Sequence, residues 1–132
     1  LANDTGSGEV AYFGSGSLTA GKLYYLNTSG TWTEAHADAS SNEGNSQMLG
    51  IALGSTPTTD GVLLRGLFDM HTYFTGTFNE GIPVYVDDNN SGYVTVTQPA
   101  GNNEFVRVVG FCTTSSKIIY FNPDSTYITV EA

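Results

Sequence analysis

The feature that most constrains this chain is internal repetition at a spacing of 60 residues. Gly16-Ser-Leu-Thr-Ala-Gly21-Lys-Leu-Tyr-Tyr25-Leu-Asn-Thr-Ser-Gly30-Thr-Trp32-Thr is answered by Gly76-Thr-Phe-Asn-Glu-Gly81-Ile-Pro-Val-Tyr85-Val-Asp87. After a longer turn comes Gly92-Tyr93-Val-Thr. Met48-Leu49-Gly50-Ile51-Ala52 matches Val108-Val109-Gly110-Phe111-Cys112 at the same offset, and Val62-Leu-Leu64 matches Ile118-Ile-Tyr120 with the register slipped by four. A repeated strand–turn–strand unit points to one β domain with internal pseudo-symmetry.

The pattern between the repeats supports this reading. Short apolar or alternating runs are separated by Gly, Pro, Asn and Asp clusters every 8–12 residues, the spacing expected of a sandwich or barrel. The expected fold is all-β, a small β-barrel or sandwich of about ten short strands. Residues 1–15 read as a loose N-terminal arm with one short strand around Val10–Phe13, 16–66 as the first repeat, 76–121 as the second and 122–132 as a C-terminal strand. Pro83 lacks a ladder donor and must open its strand or sit at an edge. Gly50 and Gly110 occupy equivalent strand positions, where a glycine permits bending or close backbone approach. A helical turn is expected only within Asp38–Ser46. The cluster Gly54–Gly61 reads as a turn.

Composition removes several function classes. The 132 residues carry 13 acidic and 4 basic side chains, a net charge of −9. That leaves no electrostatic footprint for nucleic acid or for an anionic membrane surface. No apolar run approaches the length of a membrane-spanning helix. The single cysteine, Cys112, excludes an internal disulfide and reads as a small buried hydrophobe. The chain opens at Leu1 rather than Met, as a processed product or a piece of a longer protein would.

Chemistry-bearing patterns are sparse. Glu34-Ala-His36-Ala-Asp38 places three metal-ligating side chains on one face of an extended segment, but no second histidine stands at ligand spacing. Asp87-Asp-Asn-Asn90 is oxygen-rich yet lacks the spacing of a calcium loop, and a hairpin turn needs such residues anyway. His71 is solitary and reads as a polar or subunit contact. Gly14-Ser-Gly16 is no nucleophile elbow, and no carboxylate pair forms an acid–base couple. Arg65 and Arg107 lie in apolar surroundings, so carboxylate partners are expected, with Asp69 and Glu104 nearest in sequence. The expectation is a non-enzymatic protein with no cofactor and no bound metal.

Aromatic residues are the remaining signal. Tyr12, Phe13, Tyr24, Tyr25, Trp32, Tyr73, Phe74, Tyr93 and Tyr127 are too many for one face of a small core. Some must be exposed or buried between subunits. Val10, Tyr12 and Phe13 in the arm, with Tyr127, Ile128 and Val130 at the far end, are expected at a subunit or capsid interface, each segment adding a strand to a neighbour. Trp32 and Tyr93 read as equivalent positions of the two repeats, each just after a hairpin glycine, and are the candidates for stacking on a glycan.

Ser17-Leu-Thr-Ala-Gly-Lys-Leu-Tyr-Tyr-Leu-Asn, Leu49-Gly-Ile-Ala-Leu-Gly and Asp60-Gly-Val-Leu-Leu-Arg-Gly66 resemble modules of tailed-phage structural proteins. Gly81-Ile-Pro-Val-Tyr-Val-Asp-Asp, Gly92-Tyr-Val-Thr and Val109-Gly-Phe are similar to small capsid decoration, or cement, proteins. The resemblance covers roughly residues 10–130. It implies a non-enzymatic virion surface protein, an oligomer with the trimer favoured, that binds and stiffens the lattice of the major capsid protein. The alternative is a C-terminal, glycan-recognising module of a phage tail fibre. A bacterial lectin or filament subunit is a third reading.

Overall fold

In a computed structural model, which describes residues 1–40 and 43–131, the chain is almost entirely β. The strands are β1 (Gly6–Ala11), β2 (Leu23–Leu26), β3 (Trp32–Glu34), β4 (Leu49–Ala52), β5 (Val62–Asp69), β6 (Phe74–Thr75), β7 (Pro83–Val86), β8 (Val94–Thr95), β9 (Phe105–Val106), β10 (Val108–Cys112), β11 (Ile118–Phe121) and β12 (Ile128–Thr129). Ten of them form one curled sheet, β3-β2-β4-β5-β11-β10-β7-β8-β6, with β1 added to β5; β9 and β12 form a separate ribbon.

The 60-residue repeat is a repeat of pairing. In the first unit β3-β2-β4-β5 are neighbours, and in the second β8-β7-β10-β11 follow the same order. The register agrees: Tyr24 pairs with Gly50 and Val84 with Gly110. A side chain at Gly50 would strike Val62, and one at Gly110 would strike the Tyr120 carbonyl, so both are close-approach positions. Two equivalences differ from those read by counting. Leu26 pairs with Trp32 as Val86 pairs with Val94, so the counterpart of Trp32 is Val94, not Tyr93. Ala52 pairs with Val62 as Cys112 pairs with Ile119, one residue beyond the expected Ile118.

β5 joins the two units. β1 runs along one edge of β5, from Phe68 to Val62. A strand has only two edges, so β4 (on residues 62–63) and β11 (on 66–69) share the other. The sheet therefore divides along β5 and its halves curl towards each other. The division coincides with a bulge between Glu9 and Val10 and with Gly8 directly opposite Gly66, at φ 150° and 149°. A Cβ at either glycine would strike the facing backbone carbonyl, of Arg65 or of Ser7. Only glycine fits both positions.

The main core lies between the halves and contains Leu23, Ile51 and Leu63 from the first unit with Val84, Val94, Cys112, Ile119 and Phe121 from the second. A smaller cluster of Leu18, Tyr24, Trp32, Ala52 and Val62 lies on the first unit's other face. The segment before β2 seals that face: Leu18 packs into the cluster, Phe13 stacks on Trp32 at 6.0 Å, and Trp32 Nε1 donates to the Phe13 carbonyl.

The N-terminal segment is therefore not a loose arm. Its Gly/Ser richness, read as looseness, is what allows β1 to approach the β5 backbone closely. The helical turn also lies elsewhere than expected, at Pro57–Asp60 (α1), where Pro57 occupies the first turn and Asp60 Oδ2 accepts from the Thr56 amide. Ser41 and Asn42, within the loop expected to carry it, lie outside the described residues.

Candidate functional site

The two units bury opposite faces of the same hydrogen-bonded pattern. Tyr24, Trp32, Ala52 and Val62 belong to the small outer cluster, whereas their counterparts Val84, Val94, Cys112 and Ile119 belong to the main core. The complementary row is reversed in the same way. Leu23, Ile51 and Leu63 pair across β2, β4 and β5 and are fully buried. Their counterparts Pro83, Phe111 and Tyr120 pair across β7, β10 and β11 on the outside. Phe111 is 46% exposed and Tyr120 41%. The row continues through Leu67 of β5, 44% exposed, to Ser7 of β1.

Five strands at about 4.8 Å spacing make this row roughly 19 Å wide. It carries no charge, on a chain of net charge −9. An apolar row in core register, left open to solvent, is the composition of an interface centre. Sequence reading missed it because alternation alone does not say which face of a strand is inside.

The expected interface residues are placed unequally. Tyr12 is 59% exposed and Phe13 is partly covered by its stack on Trp32. Val10 is half-buried and packs against the main core, within a strand already paired to β5. At the other end Ile128 is exposed. Tyr127 meets Phe105 edge to face, and the Val130 amide donates to the Glu104 carbonyl at 2.7 Å. β12 is paired with β9 of its own chain, so that edge is already occupied.

The two glycan candidates separate. Trp32 is 3% exposed, with its indole N–H satisfied inside the protein, so it offers no stacking face. Tyr93 is half-buried with its ring edge-on to Tyr73 at 5.3 Å.

The arginines also depart from expectation. Arg65 is exposed and stands opposite Glu9 in the β1–β5 register, not against Asp69. Arg107 is buried, and its hydrogen-bond partners are backbone carbonyls rather than Glu104. Nε donates to Asp124 O at 2.7 Å, and Nη1 to Gly44 O at 3.0 Å and Gln47 O at 2.6 Å. Burial lowers the guanidinium pKa, and the Asp124 charge offsets part of that. Arg107 lies between β9 and β10 and ties Gly44 and Gln47 of the first unit to Asp124 beyond the second. Carbonyl acceptors leave no mark in a sequence, which is why this role was not legible there. The ion pair found among the described residues is Lys22–Glu34, at 3.1 Å.

Polar turns hold the remaining motif residues. Asp87 Oδ1 accepts from the amides of Asn89 and Asn90, and its Oδ2 accepts from Thr75 Oγ1, making the oxygen-rich run a hairpin turn. His36 Nε2 lies 3.1 Å from Asp88 O, and Asp38 accepts from Ser40 Oγ. No group of three metal-ligating side chains occurs among the described residues. Asp88 sits beside Glu104; partial burial first, and then the shared hydrogen bond and repulsion, raise its pKa.

No family model, curated protein or solved structure matches this chain.

Proposed function

We propose that this chain is a non-enzymatic structural protein of a virion surface, a capsid decoration protein that binds the folded coat lattice as an oligomer. The observation that carries the reading is the open row Leu67–Tyr120–Phe111–Pro83, in which the first-unit counterparts of Tyr120, Phe111 and Pro83 are core. A row of this kind seats on a complementary apolar surface, and on a repeating coat many weak contacts add through avidity. The Ser/Thr/Asn-rich, acidic exterior keeps decorated particles apart in solution. The sequence resemblance to cement proteins supports the same reading. The tail-fibre alternative loses force because its first stacking candidate, Trp32, is buried.

The test is co-sedimentation with undecorated capsids of the cognate virus. Phe111→Ser with Tyr120→Ser should abolish binding while circular dichroism and thermal unfolding stay near those of the parent. Undiminished co-sedimentation of the double variant would refute the assignment of this face.

A further inference from the structure

A second feature lies where the sheet divides. A cleft of about 580 Å³ opens between the two units. Met48, Leu49 and Leu64 line it from the first unit and Pro123 from the segment after the second, with Arg65 and Arg107 also in its walls. Two of the four cations of an acidic chain thus face one cavity. Arg65 has Glu9, also in the wall, as its cross-strand neighbour. Arg107 is the more telling of the two. It is 5% exposed, and its Nε and Nη1 hydrogens go to three carbonyls. A guanidinium has five N–H donors, so the two on Nη2 remain, with no hydrogen bond to a described residue. Asp124, whose backbone carbonyl accepts from Nε and whose Oδ1 accepts from the Thr126 amide, offsets part of the charge, and Glu9 lies in the same wall. A buried cation held by neutral carbonyls is electrostatically incomplete, and an anion in the cleft would complete it.

We propose that this cleft binds the C-terminal carboxylate of a peptide segment, with Arg107 Nη2 donating to the carboxylate, Arg65 adding the second positive charge, and the last apolar side chain lying against Met48, Leu64 and Pro123. Met48, Leu64 and Pro123 seat an apolar side chain while Ser46, Gln47 and Asn122 offer partners to a peptide backbone, a mixed lining that a polyhydroxy acid would use only in part, and the volume suits a few residues. The site stands on the cleft alone and is independent of the open row on the outer face.

The test uses the intact chain labelled with ¹⁵N and titrated with acetyl-Gly-Ser-Ala-Val-Leu as the free acid and as its amide. The free acid should shift the amides of residues 46–49, 64–65 and 122–125 together with Arg107 Nε–H. Loss of one charge-assisted contact in the amide should weaken binding about tenfold. Arg65→Gln should weaken the free acid about fivefold through the lost charge, without loss of stability, since that side chain is exposed. Equal binding of acid and amide, shifts outside the cleft, or no shift at millimolar peptide would overturn the proposal. So would tighter binding of sodium glucuronate than of the peptide, which would assign the cleft to acidic sugars.

Discussion

Replacing Arg107 by Met, a side chain of similar reach without charge or donors, isolates what the guanidinium does at the seam. Three carbonyls lose their donor. The Gly44 contact is buried, and those to Gln47 and Asp124 are partly so. Hydrogen bonds from a charged donor contribute about 1.5–3 kcal/mol each, so their sum is ~4.5–9 kcal/mol. Removing the charge also removes its desolvation cost, several kcal/mol for a buried ion, and the two partly exposed carbonyls regain water. The net loss should be about 2–4 kcal/mol, a large share of the ~5–15 kcal/mol stability usual for a domain. At roughly 4 °C per kcal/mol, Tm should fall by about 8–16 °C.

Urea unfolding followed by fluorescence of Trp32, the single tryptophan, gives the magnitude. Hydrogen exchange should show the loss concentrated at residues 44–47 and 122–124. Arg107→Lys should fall between parent and Met, because one ammonium cannot span all three carbonyls. A Met variant within about 0.5 kcal/mol of the parent, a surface-like effect, would refute the role of Arg107 as the tie between units.

Other expectations are narrower. The Asp88 pKa is raised in the fold, so the protonated form is favoured there: its contribution to stability is full below the unfolded value of ~3.9 and is lost as pH rises through the folded value. Asp88→Asn should therefore raise Tm at pH 7, and the difference from the parent should close below about pH 4; an equal gain at all pH values would show that charge is not the cause. Gly66→Ala forces a Cβ into the Ser7 carbonyl and should cost about 2–3 kcal/mol in thermal unfolding, by strain at a special backbone angle. A neutral result would mean that β1 is not held as described. Cys112 is buried, which raises its thiol pKa, so a thiol reagent should react only as fast as the chain unfolds. Rapid labelling of the native protein would contradict its place in the core.

How much of this was legible in the sequence follows from what each feature depends on. Strand pairing depends on apolar runs and turn residues at fixed spacing, so the matching registers at Gly50 and Gly110 could be read by offset alone. Pro83 could be placed at the start of β7 for the same kind of local reason, its missing N–H. Sidedness depends on bulges, and these are invisible to counting. The shift between Val108 and Gly110 places Val109 and Cys112 both in the main core, with Phe111 outside. The Glu9/Val10 irregularity resets β5 in the same way. The true counterpart of Trp32 was missed because the two hairpin turns differ in length. The partners of Arg107 are not legible in the sequence because an arginine among apolar residues points to a carboxylate, whereas the fold satisfies this guanidinium with backbone oxygens that every residue carries. The open row is the joint product of these hidden features, so it could be found only once the pairing was known.

The most direct measurement is an electron cryomicroscopy reconstruction of capsids incubated with this protein. Density fitting the curled sheet should repeat across the coat lattice, with Leu67, Tyr120 and Phe111 against the coat. Density confined to a tail tip, a filament of this chain alone, or lattice density with that row turned to solvent would contradict the proposed role.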